Sequence, residues 1–444
     1  MASPRIFTPL RLPQYRRIFA GQIVSGLGDW LDMIALLTLV AYVWRSGAFA
    51  LAGLTMAMAI PAIAVAPFMG VWADRLPPRG LMIKADLVRA ALVLGYLVAP
   101  NLPVLLLLVM CKSVLSTLFE PAERKAIRLS SPPDELHAAI SLTTLAGQAT
   151  KVVGPAIGGL LVAAVGPYWA FAADAATFVL SAIILAGLRL PEQAGGHPAP
   201  ERRQFWAELR EGLGFLLGSH RLRVALVGMT ATIFLVFTFD TLSPLTVTAL
   251  GVDSSMLGFA IAGIGFGAVA GTIIIGQWGE RVPAPVLMSS SQVVAGALVA
   301  FIGLVALTRA NVAAPVLLLT MIVTGVAAAG ILMSFSLTLQ NETPENLLGR
   351  VSGTAEVLPT AMMLIAPPIG ASVAASLGVG WVLAVAGGSL ALLGTVTMVP
   401  GRRAAPGRPN PIIAEPDLVA HAASPAYPPH LDIPRPGRTP SVFF

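Results

Sequence analysis

Gly70-Val-Trp-Ala-Asp74-Arg75-Leu-Pro-Pro returns 206 positions later as Gly276-Gln-Trp-Gly-Glu280-Arg281-Val-Pro-Ala-Pro. Glycine, tryptophan, an acid and an arginine recur in one order. Two further echoes have nearly the same offset. Gly154-Pro-Ala-Ile-Gly-Gly159 matches Ala366-Pro-Pro-Ile-Gly-Ala371, and Pro133-Asp-Glu-Leu matches Pro344-Glu-Asn-Leu. Three echoes in register mark an internal duplication, so the chain is two parallel halves. Membrane transporters use such repeats to build two bundles around a site near the bilayer midplane.

The surroundings of the repeat fit a membrane. Hydrophobic residues make up 56% of the 444-residue chain and charged residues only 11%, too few to cover a soluble surface. Apolar runs long enough to cross a bilayer fall at about 18–44, 49–73, 81–101, 103–121, 138–165 and 167–188. In the second half they fall at about 222–248, 255–279, 284–308, 313–338, 350–378 and 380–400. The expected fold is all-α and integral to the membrane, with twelve transmembrane helices in two pseudo-symmetric six-helix bundles. The expected organisation is an N-terminal segment at 1–17, one bundle at 18–188, a linker at 189–221, a second bundle at 222–400 and a proline-rich disordered tail at 401–444. In the linker, Phe205, Leu209, Leu213 and Leu216 recur at helical spacing opposite Arg203, Glu208 and Glu211. That pattern predicts an amphipathic helix on the membrane face.

The net charge of +6 suggests nucleic acid until its arginines and lysines are placed. They crowd into alternate loops, and the other side has only Arg45 and Arg309. By the positive-inside rule both termini are cytoplasmic. The run after Arg5, Arg11, Arg16 and Arg17 is too long for a cleaved leader, so it reads as the first span. The lone Cys111 allows no intramolecular disulfide. No metal-ligand cluster, phosphate loop or hydrolytic constellation appears. Gly263-Ile-Gly-Phe-Gly lies inside a span, where it reads as helix packing. Neither enzyme nor cofactor chemistry is implied.

The motifs resemble those of the major facilitator superfamily, among them the drug:proton antiporters of the macrolide-efflux and enterobactin-exporter type. The matching residues include Gln22-Ile-Val-Ser-Gly-Leu-Gly-Asp29, Gly70-Val-Trp-Ala-Asp-Arg75, Leu81-Met-Ile-Lys-Ala-Asp86-Leu-Val-Arg89, Phe119-Glu-Pro-Ala122 and Gly154-Pro-Ala-Ile-Gly-Gly159. The resemblance implies a monomeric secondary transporter for a small molecule, exporting an amphipathic drug or metabolite against protons. It assigns Gly70, Asp74, Arg75 and Arg79 to a cytoplasmic gate. Asp86 and Arg89, three apart, could join it. The repeat extends the gate to Gly276, Glu280 and Arg281, with Arg350 and Glu356 on the same side of the second half. In span five, Gly154, Pro155, Gly158 and Gly159 match an antiporter signature implied to shape the outer interface. Ordinary close packing explains those small residues equally well.

Charges inside spans mark function or pairing. Gln22, Ser25, Asp29 and Asp32 share one face of span one at spacings of three, four and three. Lys112 and Lys151 lie mid-span, while Asp174 and Asp240 lie in outer halves. Burial disfavours a carboxylate's charge and a neighbouring lysine favours it. A carboxylate that exchanges a lysine for a proton would couple two fluxes. Asp29 or Asp32 is the expected carrier, with Lys151 or Lys112 as partner; a static ion pair is the alternative. One departure bears on coupling: the family's span-four arginine, a turn ahead of a glycine, is replaced here by Lys112 and Ser116. An uncoupled facilitator or flippase for a lipid-like substrate, and a non-transporting scaffold or sensor, remain open on the same residues.

Overall fold

The computed structural model describes residues 5–65, 69, 73, 75–191, 202–252, 256–278, 282–310, 312–344 and 347–398. No strand occurs among them. After a short 3-10 turn at Arg5–Arg11, the first half comprises α1 (Pro13–Thr38), α2 (Ala48–Ala64), α3 (Pro78–Tyr96), α4 (Leu102–Ser130), α5 (Leu136–Val165) and α6 (Pro167–Ala186). Then come α7 (Arg202–Gly218) in the linker, α8 (His220–Asp240), a short α9 (Ser243–Ala249) and α10 (Met256–Trp278). The remaining helices are α11 (Ala284–Thr308), α12 (Ala314–Glu342), α13 (Leu348–Leu377) and α14 (Val379–Met398). Ten described helices are long and apolar enough to cross a membrane. The shorter apolar α2 and the charge-bearing α3 bring the number to twelve.

Local sequence sets the helix ends. Proline occupies the first turn of α1, α3, α4, α6, α9, α11 and α12, where its missing N–H has no partner to lose. The side chain of Asn101 caps α4 by accepting from Val104 N at 3.1 Å. Helices α5 and α6 are joined by Gly166 at φ 83° and ψ 169°. Gly378 joins α13 to α14 at φ 91° and ψ 158°. That backbone region is open essentially to glycine alone. The two turns stand 212 positions apart, so the duplication is written into backbone geometry as well as sequence.

Two expected spans are corrected. The run at 222–248 is two helices, α8 and α9, because Pro244 cannot continue the hydrogen-bond ladder through Leu242. Helix α4 extends to Ser130, well past the apolar run ending at 121. Its polar extension carries the i,i+4 pair Glu120–Arg124 at 3.6 Å. In the linker, α7 packs against α13 through Gly212, with Leu216 buried and Leu213 and Leu217 exposed.

Glycines bring α11 and α14 together. A Cβ on Gly303 would stand 2.9 Å from Ala384 Cα, and one on Gly387 would stand 2.7 Å from Gly296 O. Both neighbours are backbone, which cannot yield as a side chain can. Gly303→Leu and Gly387→Leu are each expected to destabilise by about 1–3 kcal/mol through overpacking. The readout is apparent Tm in detergent. Gly388→Leu, facing open space, is the neutral control.

The halves join at the end remote from the first residues of α1. There Tyr42 Oη donates to Pro244 O at 2.9 Å, and Thr55 Oγ1 donates to Thr241 Oγ1 at 3.3 Å. Ala48 and Ala52 of α2 pack on Leu242, Ala371 and Val382. Helices α5 and α10 touch at Gly159 and Gly258, where a Cβ on Gly159 would lie 2.7 Å from Gly258 Cα.

Candidate functional site

The polar face of α1 meets α4 and α6 around one ammonium group. Lys112 Nζ lies 2.9 Å from Asp29 Oδ1, 2.5 Å from Asp32 Oδ2 and 3.5 Å from Asp174 Oδ2. The Phe178 ring covers the same nitrogen at 5.2 Å. Asp32 and Asp174 are fully enclosed, whereas the Asp29 side chain is 42% exposed. One cation therefore faces three carboxylates, two of them out of reach of water. Asp32 Oδ1 is buried with no hydrogen-bond partner. Thr177 Oγ1 donates to Asp174 Oδ1 at 3.3 Å. Gly28 permits this packing, because a Cβ there would collide with Thr177 and Asp174.

A second charged layer lies one turn along α4. Arg89 pairs with Asp86, and both are buried. Its guanidinium is held between Phe119 at 4.4 Å and Phe178 at 4.5 Å. Arg89 Nη1 donates to Ser116 Oγ at 3.4 Å, and Ser116 Oγ donates to Lys112 O at 3.2 Å. The serine that departs from the family pattern thus ties the Arg89 guanidinium to the backbone of α4 one turn from Lys112. Glu123 lies beyond Phe119, almost fully buried, with Oε1 unpartnered. Reading the sequence alone misses Glu123. Lys112, Ser116, Phe119 and Glu123 stand at spacings of four, three and four, a helical face like that of span one. The apolar run ends at 121, and that limit hides the last member of the face.

Cavities connect this site to the end where α1 begins. One of about 260 Å³ is lined by Gln22, Ser25, Asp29, Glu123 and Lys151. Another of about 610 Å³ shares Gln22 and Glu123 and reaches Arg124 and Arg128.

A family model described as the Major Facilitator Superfamily matches residues 18–362. The chain belongs to that superfamily. It is 27% identical over 399 residues to "Uncharacterized MFS-type transporter YfiS" of Bacillus subtilis, covering 88% of this chain and 94% of the relative. It is 30% identical over 247 residues to "Enterobactin exporter EntS" of Salmonella typhimurium, covering 55% of this chain and 56% of the exporter. Among solved structures, the nucleoside transporter NupG aligns with a TM-score of 0.65 at 14% identity, over 87% of this chain and 98% of that one. A bacterial homologue of the iron transporter ferroportin aligns with a TM-score of 0.66 at 14% identity, over 88% and 99%. These structural likenesses establish the fold. The chain is a multi-pass membrane transporter of the major facilitator fold, and not an enzyme.

The transporter places the other expected residues as follows. Lys151 lines the smaller cavity but forms no ion pair among the described residues; the structure brings Lys112 to the acids instead. Gly154 and Gly158 pack on Trp30 and Ile34 of α1, while Gly159 meets α10 and Pro155 lies inside α5 with its carbonyl facing Gly258. Arg79 Nη2 donates to Ala186 O at 2.5 Å, and Arg17 bonds Gly187 O. Both satisfy carbonyls at the C-terminal end of α6 within their own half. Arg350 pairs with Glu211 of α7 at 2.8 Å. Glu356 is exposed, beside a cavity of about 400 Å³ with Met229 and Met363. Arg75 and Gly276 are exposed. Gly70, Asp74, Glu280 and Arg281 lie outside the described residues, as do 192–201 and the tail from 399. Asp240 stands apart from the Lys112 cluster, in a separate cavity.

Proposed function

We propose that the chain is a proton-coupled exporter of amphipathic small molecules in the cell membrane, acting as a monomer by alternating access. Its halves, 18–188 and 222–400, rock about the midplane, with both termini cytoplasmic. The observation that carries the reading is the Lys112 ammonium shared by Asp29, Asp32 and Asp174. An uneven set of buried charges is unfavourable in a membrane unless it is used. Asp29 is the member open to the cavity, so it exchanges protons, while Asp32 and Asp174 hold the lysine in place. Glu123, which lines both cavities, is the next acceptor toward the cytoplasm. With cytoplasmic termini, the halves are joined on the outer side and the cavities lie inward. The likeness to the enterobactin exporter supports the outward direction.

Inside-out vesicles carrying a respiration-driven pH gradient, read by a quenched dye, test this reading. Macrolides, siderophores and amphipathic cations are added in turn to wild type and to Asp29→Asn/Asp32→Asn. Dequenching by one class in wild type, and its loss in the variant, is the expected result. Equal dequenching in both would assign the acids to a static cluster. None with any compound would favour an uncoupled facilitator or flippase.

A further inference from the structure

A carboxylate that the Lys112 site does not use lies beneath the joined end of the two halves. Asp240, the last residue of α8, remains exposed and lines a cavity of about 90 Å³. Most of the wall is apolar, including Phe239, Ile264 and Met321, and it contains no lysine, arginine or histidine. Asp240 has no hydrogen-bond or ion-pair partner among the described residues. Two threonines on the wall have spent their protons. Thr246 Oγ1 donates to Leu242 O at 3.2 Å, and Thr324 Oγ1 donates to Thr320 O at 2.8 Å. Each hydroxyl keeps only its acceptor lone pairs for an occupant. The cavity therefore presents one negative charge and these acceptors, with the Ser243 hydroxyl beside them, on an otherwise apolar lining. An anion would meet like charge. A neutral apolar body would leave the carboxylate desolvated and unpaired, which is unfavourable.

From this geometry we infer that the cavity is a subsite for the protonated amine of a cationic amphiphile, with Asp240 as its counter-ion. Its volume of about 90 Å³ admits the ammonium and the few carbons next to it, while the remainder of the molecule, ring included, lies elsewhere. Its position gives the occupant leverage. Thr241, the next residue, is hydrogen-bonded to Thr55 across the joint. Val247 and Leu257 of the wall also pack into the core cluster of the first half. The inference deepens the exporter reading and rests on it for transport, but its test reads binding alone.

The full chain, purified in detergent, is titrated with benzylammonium, benzyl alcohol and benzoate, with binding read from thermal-shift curves. These share a ring and differ in charge. Benzylammonium is expected to bind saturably, and the other two at least about tenfold more weakly, as expected for loss of a charged hydrogen bond. Asp240→Asn is expected to weaken benzylammonium to the level of benzyl alcohol, and Asp240→Glu to retain it. Asp29→Asn/Asp32→Asn is expected to leave this binding intact. Equal binding of the three probes would overturn the inference. So would wild-type affinity in Asp240→Asn, or loss of binding only in the Asp29→Asn/Asp32→Asn variant. Should Asp240→Asn fail to fold, carbodiimide labelling of Asp240 in wild type, mapped by mass spectrometry, replaces it. Protection by benzylammonium and not by benzyl alcohol is the expected result; no protection overturns it. Failure of the proton-flux assay leaves this result standing, and failure here leaves proton coupling standing.

Discussion

Replacing Lys112 with methionine is expected to destabilise the transporter by about 3–5 kcal/mol, because it leaves buried carboxylates without their cation. Most of the loss comes from Asp32 and Asp174, which are enclosed. Asp29, 42% exposed, is screened by water and adds least. The apparent Tm and the yield of monodisperse protein in detergent are the readouts. A triple variant, Lys112→Met with Asp32→Asn and Asp174→Asn, removes the surplus charge and is expected to regain most of the stability, because residues in one network do not add independently. It should not regain proton-linked transport. Lys112→Arg is expected to keep stability better than methionine but to weaken coupling, since the larger planar guanidinium cannot keep the ammonium's placement against Asp29, the proton carrier. A Lys112→Met protein as stable as wild type would show that the cluster is not held by this charge.

Gly159→Leu is expected to open the joined end. A Cβ at this position would stand 2.7 Å from Gly258 Cα, so the added side chain meets backbone on the other half. An overpacking penalty of about 1–3 kcal/mol shifts a balance between two states roughly 5- to 150-fold. A disulfide between Thr55→Cys and Thr241→Cys, in a Cys111→Ser background, reports the closed joint. The two hydroxyl oxygens are 3.3 Å apart in the structure. Cross-linking should be rapid in the parent protein and fall within that range in Gly159→Leu. Gly147→Leu, on the same helix with nothing within 4 Å, should cross-link like the parent. An unchanged yield in Gly159→Leu would mean that α5 and α10 do not control closure.

The fold was legible because hydropathy and duplication are both properties of short stretches. The glycines at 166 and 378 end their helices as the repeat requires. Hydropathy is blind to polar helix, which is why the end of α4 and Glu123 were lost. It is equally blind to a break between apolar residues, which is why α8 and α9 read as one span. Of the site, the polar face of α1 could be read from spacing alone. The choice between Lys112 and Lys151 could not. Both lie mid-span, and the rotation of α4 and α5 about their axes decides which reaches the acids. The joint between the halves was also hidden, since Gly159 packs across it while Gly154 packs on α1 of its own half.

The duplication has not kept the halves equivalent. Asp32, Asp86, Arg89, Lys112, Glu123 and Asp174 are buried charges of the first half; in the second, the buried polar side chains among the described residues are serines, threonines and Gln292. One copy of an ancestral bundle has become ionic and the other a near-neutral wall. A lineage could therefore reshape that wall to admit new molecules by exchanging one apolar side chain for another. Every such exchange would leave the charged copy untouched. Cargo and power supply could evolve at different speeds within one polypeptide.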